Sequence, residues 1–253
     1  MTFSSEWLAL REPADHLARD RALLQKACLA AGSAPVVLDL GCGTGSNVRA
    51  IAPWLPQGTK WHLVDNDAGL LEIAAKKTPG EVHTHCIDLT DLAQLPIEGV
   101  TLVTGSALLD LVSKNWFRKL VSNLNAPVYF ALSYDGEMVW DPMLPEDQAI
   151  TESFNEDQRT DKGLGFAMGP DSPALASEIL EANGFVVERA QSDWRLTPND
   201  LSLQSELVLG IARATEEAGN VAAKTWGDER VLLSSKSYCT IGHEDILAVP
   251  QKR

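Results

Sequence analysis

The sequence predicts a doubly wound α/β domain: a mostly parallel, seven-stranded sheet with an antiparallel last strand, plus helical inserts. Three observations predict it. Apolar runs alternate with helical patterns over most of the chain. The run Val36–Leu40 leads directly into a loop with glycine at alternate positions, Gly41, Gly43 and Gly45. The chain ends in an apolar stretch, SYCTIGHEDILAVPQ, with no helix after it. A length of 253 residues suits one such domain, and 45% hydrophobic residues are enough to fill its core.

In chain order, residues 1–34 are expected to form an N-terminal helical cap, with a helix over about 13–31. Strands are expected over 36–40, 60–65, 82–87, 100–105, 127–133, 185–190 and 238–249. Helical periodicity falls between them at 67–77, 115–124 and 172–183, the last closing at Gly184 as a helix C-terminus should. Gly242, near the middle of the final run, suggests a bulged antiparallel edge strand. Two segments exceed a minimal sheet, 135–173, rich in acids, Pro and Gly, and 196–234, with a long helix near 201–218. Ligands of open α/β sheets bind beyond the carboxyl ends of the strands, so both are expected to be substrate-side inserts of a single domain, 1–253.

Glycines 41, 43 and 45 let the chain turn sharply and approach a ligand closely, and the helix begun at Ser46 offers unpaired N–H groups, so the loop reads as a nucleotide-type or carboxylate-type site. The spacing departs from the dinucleotide pattern G-x-G-x-x-G, whose third glycine is replaced by Ser46. Asp39, two residues before the first glycine, would repel a pyrophosphate and suit a ligand carrying an ammonium group. The stretch LDLGCGTG resembles the first motif of the class I S-adenosylmethionine (SAM)-dependent methyltransferases, an acid, any residue, then G-x-G-x-G. The resemblance covers about residues 35–133, and more loosely the region from 172 onward.

The resemblance implies SAM as cofactor and S-adenosylhomocysteine (SAH) as product. Asp39 and the glycine loop would hold the methionine end. Asp65, closing KWHLVD, would take the ribose hydroxyls, with Asn66 flanking the adenine. Asp88 and Leu89, after the third strand, would meet the adenine amine and ring, although a turn-forming acid explains Asp88 equally well. Ser106, Ala107 and Leu108 would line the transfer site. From the residues alone, Asp65 serves NAD as well as SAM.

Methyl transfer needs alignment, exclusion of water and, for a protonated nucleophile, a proton acceptor. Asp110 and Tyr134 are candidates for that role, with Asp110 also readable as a solvated acid before a helix capped by Ser113. For an acceptor, Arg11, Trp140 and Arg159 are candidate contacts, along with Tyr134, Asn155 and Gln158; a solvated acidic lid is the plainer reading of the segment after Tyr134. Trp7, Arg11 and Arg19 of the N-terminal segment are candidates to close over the cofactor, Arg11 pairing with its carboxylate or with a substrate acid, against the plainer reading of exposed arginines near a terminus. No N-P-P-Y follows the fourth strand, and the place reads TGSALL, which favours a small-molecule acceptor. Trp116 and Phe117 are expected to pack a helix onto the sheet, and His83 and His85 to be packing histidines.

A net charge of −14 disfavours contact with nucleic acid or anionic membranes. Cys28, Cys42, Cys86 and Cys239 form no C-x-x-C pair, so no metal site or disulfide framework is expected. The N-terminus lacks an apolar core and carries early acids, and no apolar run has bilayer length, so a cytoplasmic monomer or homodimer is expected. The competing expectations are a non-catalytic SAM-binding or partner-binding module of the same fold and, opposed by Asp39 and the glycine spacing, an NAD-type oxidoreductase.

Overall fold

The structure, a computed structural model, describes residues 3–251. Its sheet runs in the order β3-β2-β1-β4-β5-β8-β6, with a short β7 paired to β8. The strands are β1 (Val36–Leu40), β2 (Lys60–Asp65), β3 (Glu81–Cys86), β4 (Leu102–Ser106), β5 (Val128–Asp141), β6 (Phe185–Gln191), β7 (Trp194–Leu196) and β8 (Tyr238–Pro250). The first five are parallel, while β8 runs antiparallel to β5, β6 and β7.

Three expectations about the elements are corrected. The cap is two helices, α1 (Ser5–Ala18) and α2 (Arg21–Ala30), rather than one over 13–31. Pro13 lies inside α1, and the break falls at Arg19, where Asp20 caps α2 by accepting from Leu23 N–H. The last strand is not an edge but is inserted between β5 and β6, which explains why nearly all of it is buried. The sheet also has an eighth strand beside the seven expected, because β7 adds a ladder of three residues to β8.

Helices α3 (Ser46–Ile51) and α4 (Ala68–Lys77) join α2 on one face of the sheet, where Leu24, Val48 and Leu71 pack on Val37, Leu63 and Tyr129. On the other face α5 (Lys114–Ser122) and α7 (Ser172–Ala182) pack Phe117 and Ile179 on Leu38, Val103 and Phe130. Trp116 and Phe117 are both buried there, as their spacing predicts. Alternate residues of β1 thus feed opposite layers, the pattern of a strand covered on both faces.

A third core lies beyond the sheet's end. There α6 (Asp147–Gln158), α8 (Leu201–Glu217) and α9 (Ala223–Leu233) bury Trp140, Trp226 and Leu203 against β7 and the far end of β5. Asp245 of β8 anchors the junction. It accepts from the Tyr129 hydroxyl at 2.8 Å, from Leu132 N–H at 2.9 Å and from Asp20 N–H at 3.1 Å. This fixes the bulge in β5, where Leu132 takes φ 56°, and ties α2 to the sheet. Among the described residues no helix is long and apolar enough to cross a membrane.

Candidate cofactor cleft

A cleft of about 250 Å³ opens at the carboxyl ends of β1, β2 and β4, the point where the strand order reverses. Gly41, Gly43, Asp65, Asn66, Asp88, Leu89 and Ser106 all line it, together with Ala107 and Leu108. The glycines take φ values of 63°, 52° and 81° in order, the left-handed region that penalises a side chain. A Cβ on Gly43 would also lie 3.1 Å from Leu8, because α1 presses on the loop. Gly45 is corrected from the wall to the base of the loop, where it precedes α3 and a Cβ would meet that of Ala74 at 3.2 Å.

Asp65 organises the loop. Its Oδ2 accepts from Gly43 N–H at 2.8 Å and its Oδ1 from Asp67 N–H at 3.0 Å, while Asp67 itself caps α4. Asp88 is an exposed turn former whose Oδ1 accepts from Thr90 N–H at 2.8 Å, a bond that holds its carboxyl below the usual range; it lines the cleft as well.

Asp39 does not line the cleft. It is fully buried behind Asn47, whose Nδ2 donates to Asp39 Oδ1 at 2.6 Å and to Thr104 Oγ1 at 3.0 Å. Burial raises its carboxyl to about 7 against the opposing pull of Asn47 and Arg19. Arg19 is likewise buried, its Nη2 donating to Ser106 Oγ at 3.0 Å.

The candidate acceptor contacts separate. Arg11 lines the cleft, held by Asp15 (Nε to Oδ2 3.0 Å) and stacked 4.9 Å over Trp194. Trp7 packs 6.5 Å from Trp194. Trp140 is corrected to a core residue under Arg230. Arg159 is corrected to a surface residue paired with Asp171 at 2.9 Å. Tyr134 is buried, its hydroxyl committed to Asn155 Oδ1 at 2.8 Å, which removes it as a proton acceptor. Asn155 spends its Nδ2 on Gly136 C=O, and Gln158 donates to Asp157. Asp110 sits between Leu108 and Leu111, both on the cleft wall; its Oδ1 is buried with no hydrogen-bond partner, and burial raises the carboxyl to about 6.

Of segment 135–173 only Lys162, Gly163 and Leu164 line the cleft, and nothing from 196–234 does. Lys162 is paired with Asp157 at 2.7 Å. His83 and His85 stack with His62 at the sheet edge; among the described residues no group of three or more His, Cys, Asp or Glu could hold a metal.

Residues 37–126 match the methyltransferase-domain family. That segment is similar to a methyltransferase domain, and the fold around it is the Rossmann-like fold of class I methyltransferases. No curated protein matches the chain significantly. Among solved structures it is similar to the YcgJ protein of Bacillus subtilis (TM-score 0.54, 13% identity, 91% of this chain and 98% of that one). It is also similar to a putative methyltransferase of Bacillus halodurans (0.52, 17%, 89% and 96%) and to the cyclopropane synthase MmaA2 of Mycobacterium tuberculosis (0.53, 12%, 97% and 94%). At these identities the likeness is one of fold.

The cofactor of this methyltransferase family is SAM, and the cleft has features that fit it. Three left-handed glycines form a cradle that side chains would fill, and Asn47 Oδ1 is a buried acceptor without a partner. Asn47, Asp15 and the loop at Lys162 escaped sequence reasoning. Asn47 sits two residues beyond the last glycine, and Asp15 lies four residues after Arg11 on one helix, a spacing that marks an ion pair.

Proposed function

We propose that the chain is a SAM-dependent methyltransferase acting on a small-molecule acceptor that gives up a proton. The observation that carries the reading is the meeting of the glycine loop, Asp65, Asp88, Leu89 and Ser106 in one cleft, inside the segment that matches the family. The nine residues assigned to the cofactor then divide by role. Gly41, Gly43, Asp65, Asn66, Asp88, Leu89 and Ser106 touch it, whereas Asp39 and Gly45 act from behind.

When bound, SAM supplies a methyl group on a positive sulfur, already activated toward displacement. The chain's part is alignment and dryness. Leu8 and Phe3 of the N-terminal segment and Leu164 of the insert wall the cleft with apolar surface. Glu12 and His16 hold α1 over it, through Arg49 (2.6 Å) and Ser46 C=O (3.0 Å). Asp110 is the proton acceptor this reading assigns: its Oδ1 is buried without a partner, and Leu108 and Leu111 on either side of it line the cleft. The cap, 1–34, and the loop at 162–164 of the first insert form the acceptor side; the four unpaired cysteines fit a reducing, cytoplasmic setting.

A non-catalytic SAM-binding module is the second reading. It is favoured by the cleft volume, about 250 Å³, which is small for cofactor and acceptor together. Calorimetry with SAM, SAH and NAD, followed by an acceptor screen that reads SAH release, separates the readings. Binding of the sulfur ligands with no turnover over a broad screen supports the module; no binding of either sulfur ligand overturns both.

A further inference from the structure

We infer that the methyl acceptor is an anion, a carboxylate- or phosphate-bearing molecule held in the cleft by Arg11 of α1 and Lys162 of the first insert. The inference rests on the SAM reading and names the acceptor class that reading leaves open.

The charged residues on the cleft wall, Arg11, Asp15, Asp65, Asp88 and Lys162, are sorted by origin. Asp65 and Asp88 stand at the ends of β2 and β3 and spend their carboxylates on backbone N–H groups, at the side proposed for the adenosine. Both cations come from segments outside the sheet, α1 and the loop at 162–164, which form the side left for an acceptor. Burial raises the Asp110 carboxyl, and the charge on Arg11 pulls it the other way, so Arg11 stands within reach of the proposed proton acceptor.

Neither cation is needed by the acid that holds it. Arg11 pairs with Asp15 along one helix, through Nε at 3.0 Å and Nη2 at 3.2 Å; the tie from α1 to β7 is made by the acid, whose Oδ1 accepts from Trp194 Nε1 at 3.0 Å. Lys162 pairs with Asp157 at 2.7 Å, yet its loop is already pinned by Asp161 Oδ1, which accepts from Gly163 N–H at 2.7 Å and Gly165 N–H at 3.1 Å. The two side chains are only 13% and 9% exposed, a desolvation that a local ion pair at the surface would not incur. Each keeps donors to spare. Arg11 bonds only through Nε and Nη2, which leaves Nη1, and the Lys162 ammonium has three hydrogens for one partner. Stacking over Trp194 at 4.9 Å fixes the plane of the guanidinium. A planar fork and a point charge, delivered by two separate segments to one cleft, suit an oxyanion. A neutral acceptor would leave the spare donors unpaired, and a cationic one would be repelled.

The test is calorimetric titration of the full chain in two stages, first with SAH and then, with SAH saturating, with benzoate, phenyl phosphate and the neutral benzamide. At least one of the two anions is expected to bind the SAH complex about 10-fold or more tightly than benzamide, the scale of hydrogen bonds to charged groups. The tighter anion identifies the group, carboxylate or phosphate. Arg11→Met and Lys162→Met are each expected to bring that anion to the level of benzamide while SAH affinity stays within about twofold, which also shows that the variants fold. Lys162→Met, in a loop pinned by Asp161 rather than by the lysine, carries the test alone if Arg11→Met does not fold. Equal binding of all three probes to the wild-type SAH complex, or binding of none, would overturn the inference, as would an anion preference retained in the variants. Anion binding that competes with SAH would also overturn it, because the cations would then serve the cofactor's own carboxylate. Absence of SAH binding in the first stage overturns the SAM reading instead, before any probe is added.

Discussion

Asp65 shows how much a single carboxylate does in this cleft. It closes β2, fixes the glycine loop through Gly43 N–H and sets up the start of α4 through Asp67 N–H. Asp65→Ala removes two charge-assisted bonds to the backbone along with the expected ribose contact. SAH affinity should fall about 10- to 100-fold, read by calorimetry; an unchanged affinity would remove Asp65 from the site. Asp110 is tested differently. Asp110→Asn is expected to lower kcat with SAH affinity unchanged and to abolish the limb of the pH–rate profile near 6, where the buried carboxyl titrates. At this scale the sequence was most legible where a residue's role depends on backbone position. Gly41, Gly43, Asp65, Asn66, Asp88, Leu89 and Ser106 reach the cleft because strand ends and turns place them there. It was least legible where the role depends on a partner far along the chain. Nothing in the order of residues ties Arg19 to Ser106, 87 positions away, or Tyr134 to Asn155.

Among the elements, the five parallel strands and their covering helices follow from period and length. The misreadings lie where tertiary pairing overrides local pattern. β5 runs on through an acidic stretch because β8 offers it a partner as far as Tyr238. β7 has only three residues, too few for a pattern to declare itself. Helices α6, α8 and α9 look like substrate-side inserts in the sequence, yet they enclose a core of their own. Asp147 stitches that core together: it accepts from Trp226 Nε1 at 2.8 Å and pairs with Arg230, which is buried and stacked 5.0 Å from the Trp140 ring. Arg230→Met should leave the partly buried Asp147 with its charge uncompensated. A loss of about 3–5 kcal/mol is expected, seen as a lower midpoint in denaturant unfolding. A shift within error would mean that the pair is solvated and that the third core does not depend on it.

For the whole molecule, stability against pH is set by groups of opposite sign. Burial lowers His243 from 6.5 to about 3; His62 and His85 are also lowered, first by desolvation and then by neighbouring imidazoles, His85 and His83 beside His62 and His83 beside His85. The buried His243 imidazole is neutral in the folded state above about 3. Its contribution is therefore intact above about 6.5 and is lost as pH falls toward 3, where the unfolded chain takes up more protons. Asp39 and Asp110 are raised from 3.8 to about 7 and about 6. Their contribution is intact below 3.8 and is lost as pH rises through those values. Thermal melts across pH 3–8 should show His243→Gln losing less stability than wild type on acidification, and Asp39→Asn losing less between pH 4 and 7. Parallel curves for variant and wild type would refute the assignment.

The central claim is that the cleft beside the glycine loop holds a SAM-type ligand, and its most direct test is titration of the whole chain with SAH and NAD in parallel. Micromolar binding of SAH, absent for NAD and sharply weakened by Asp65→Ala, is the predicted result. No SAH binding, or NAD binding in its place, would contradict it.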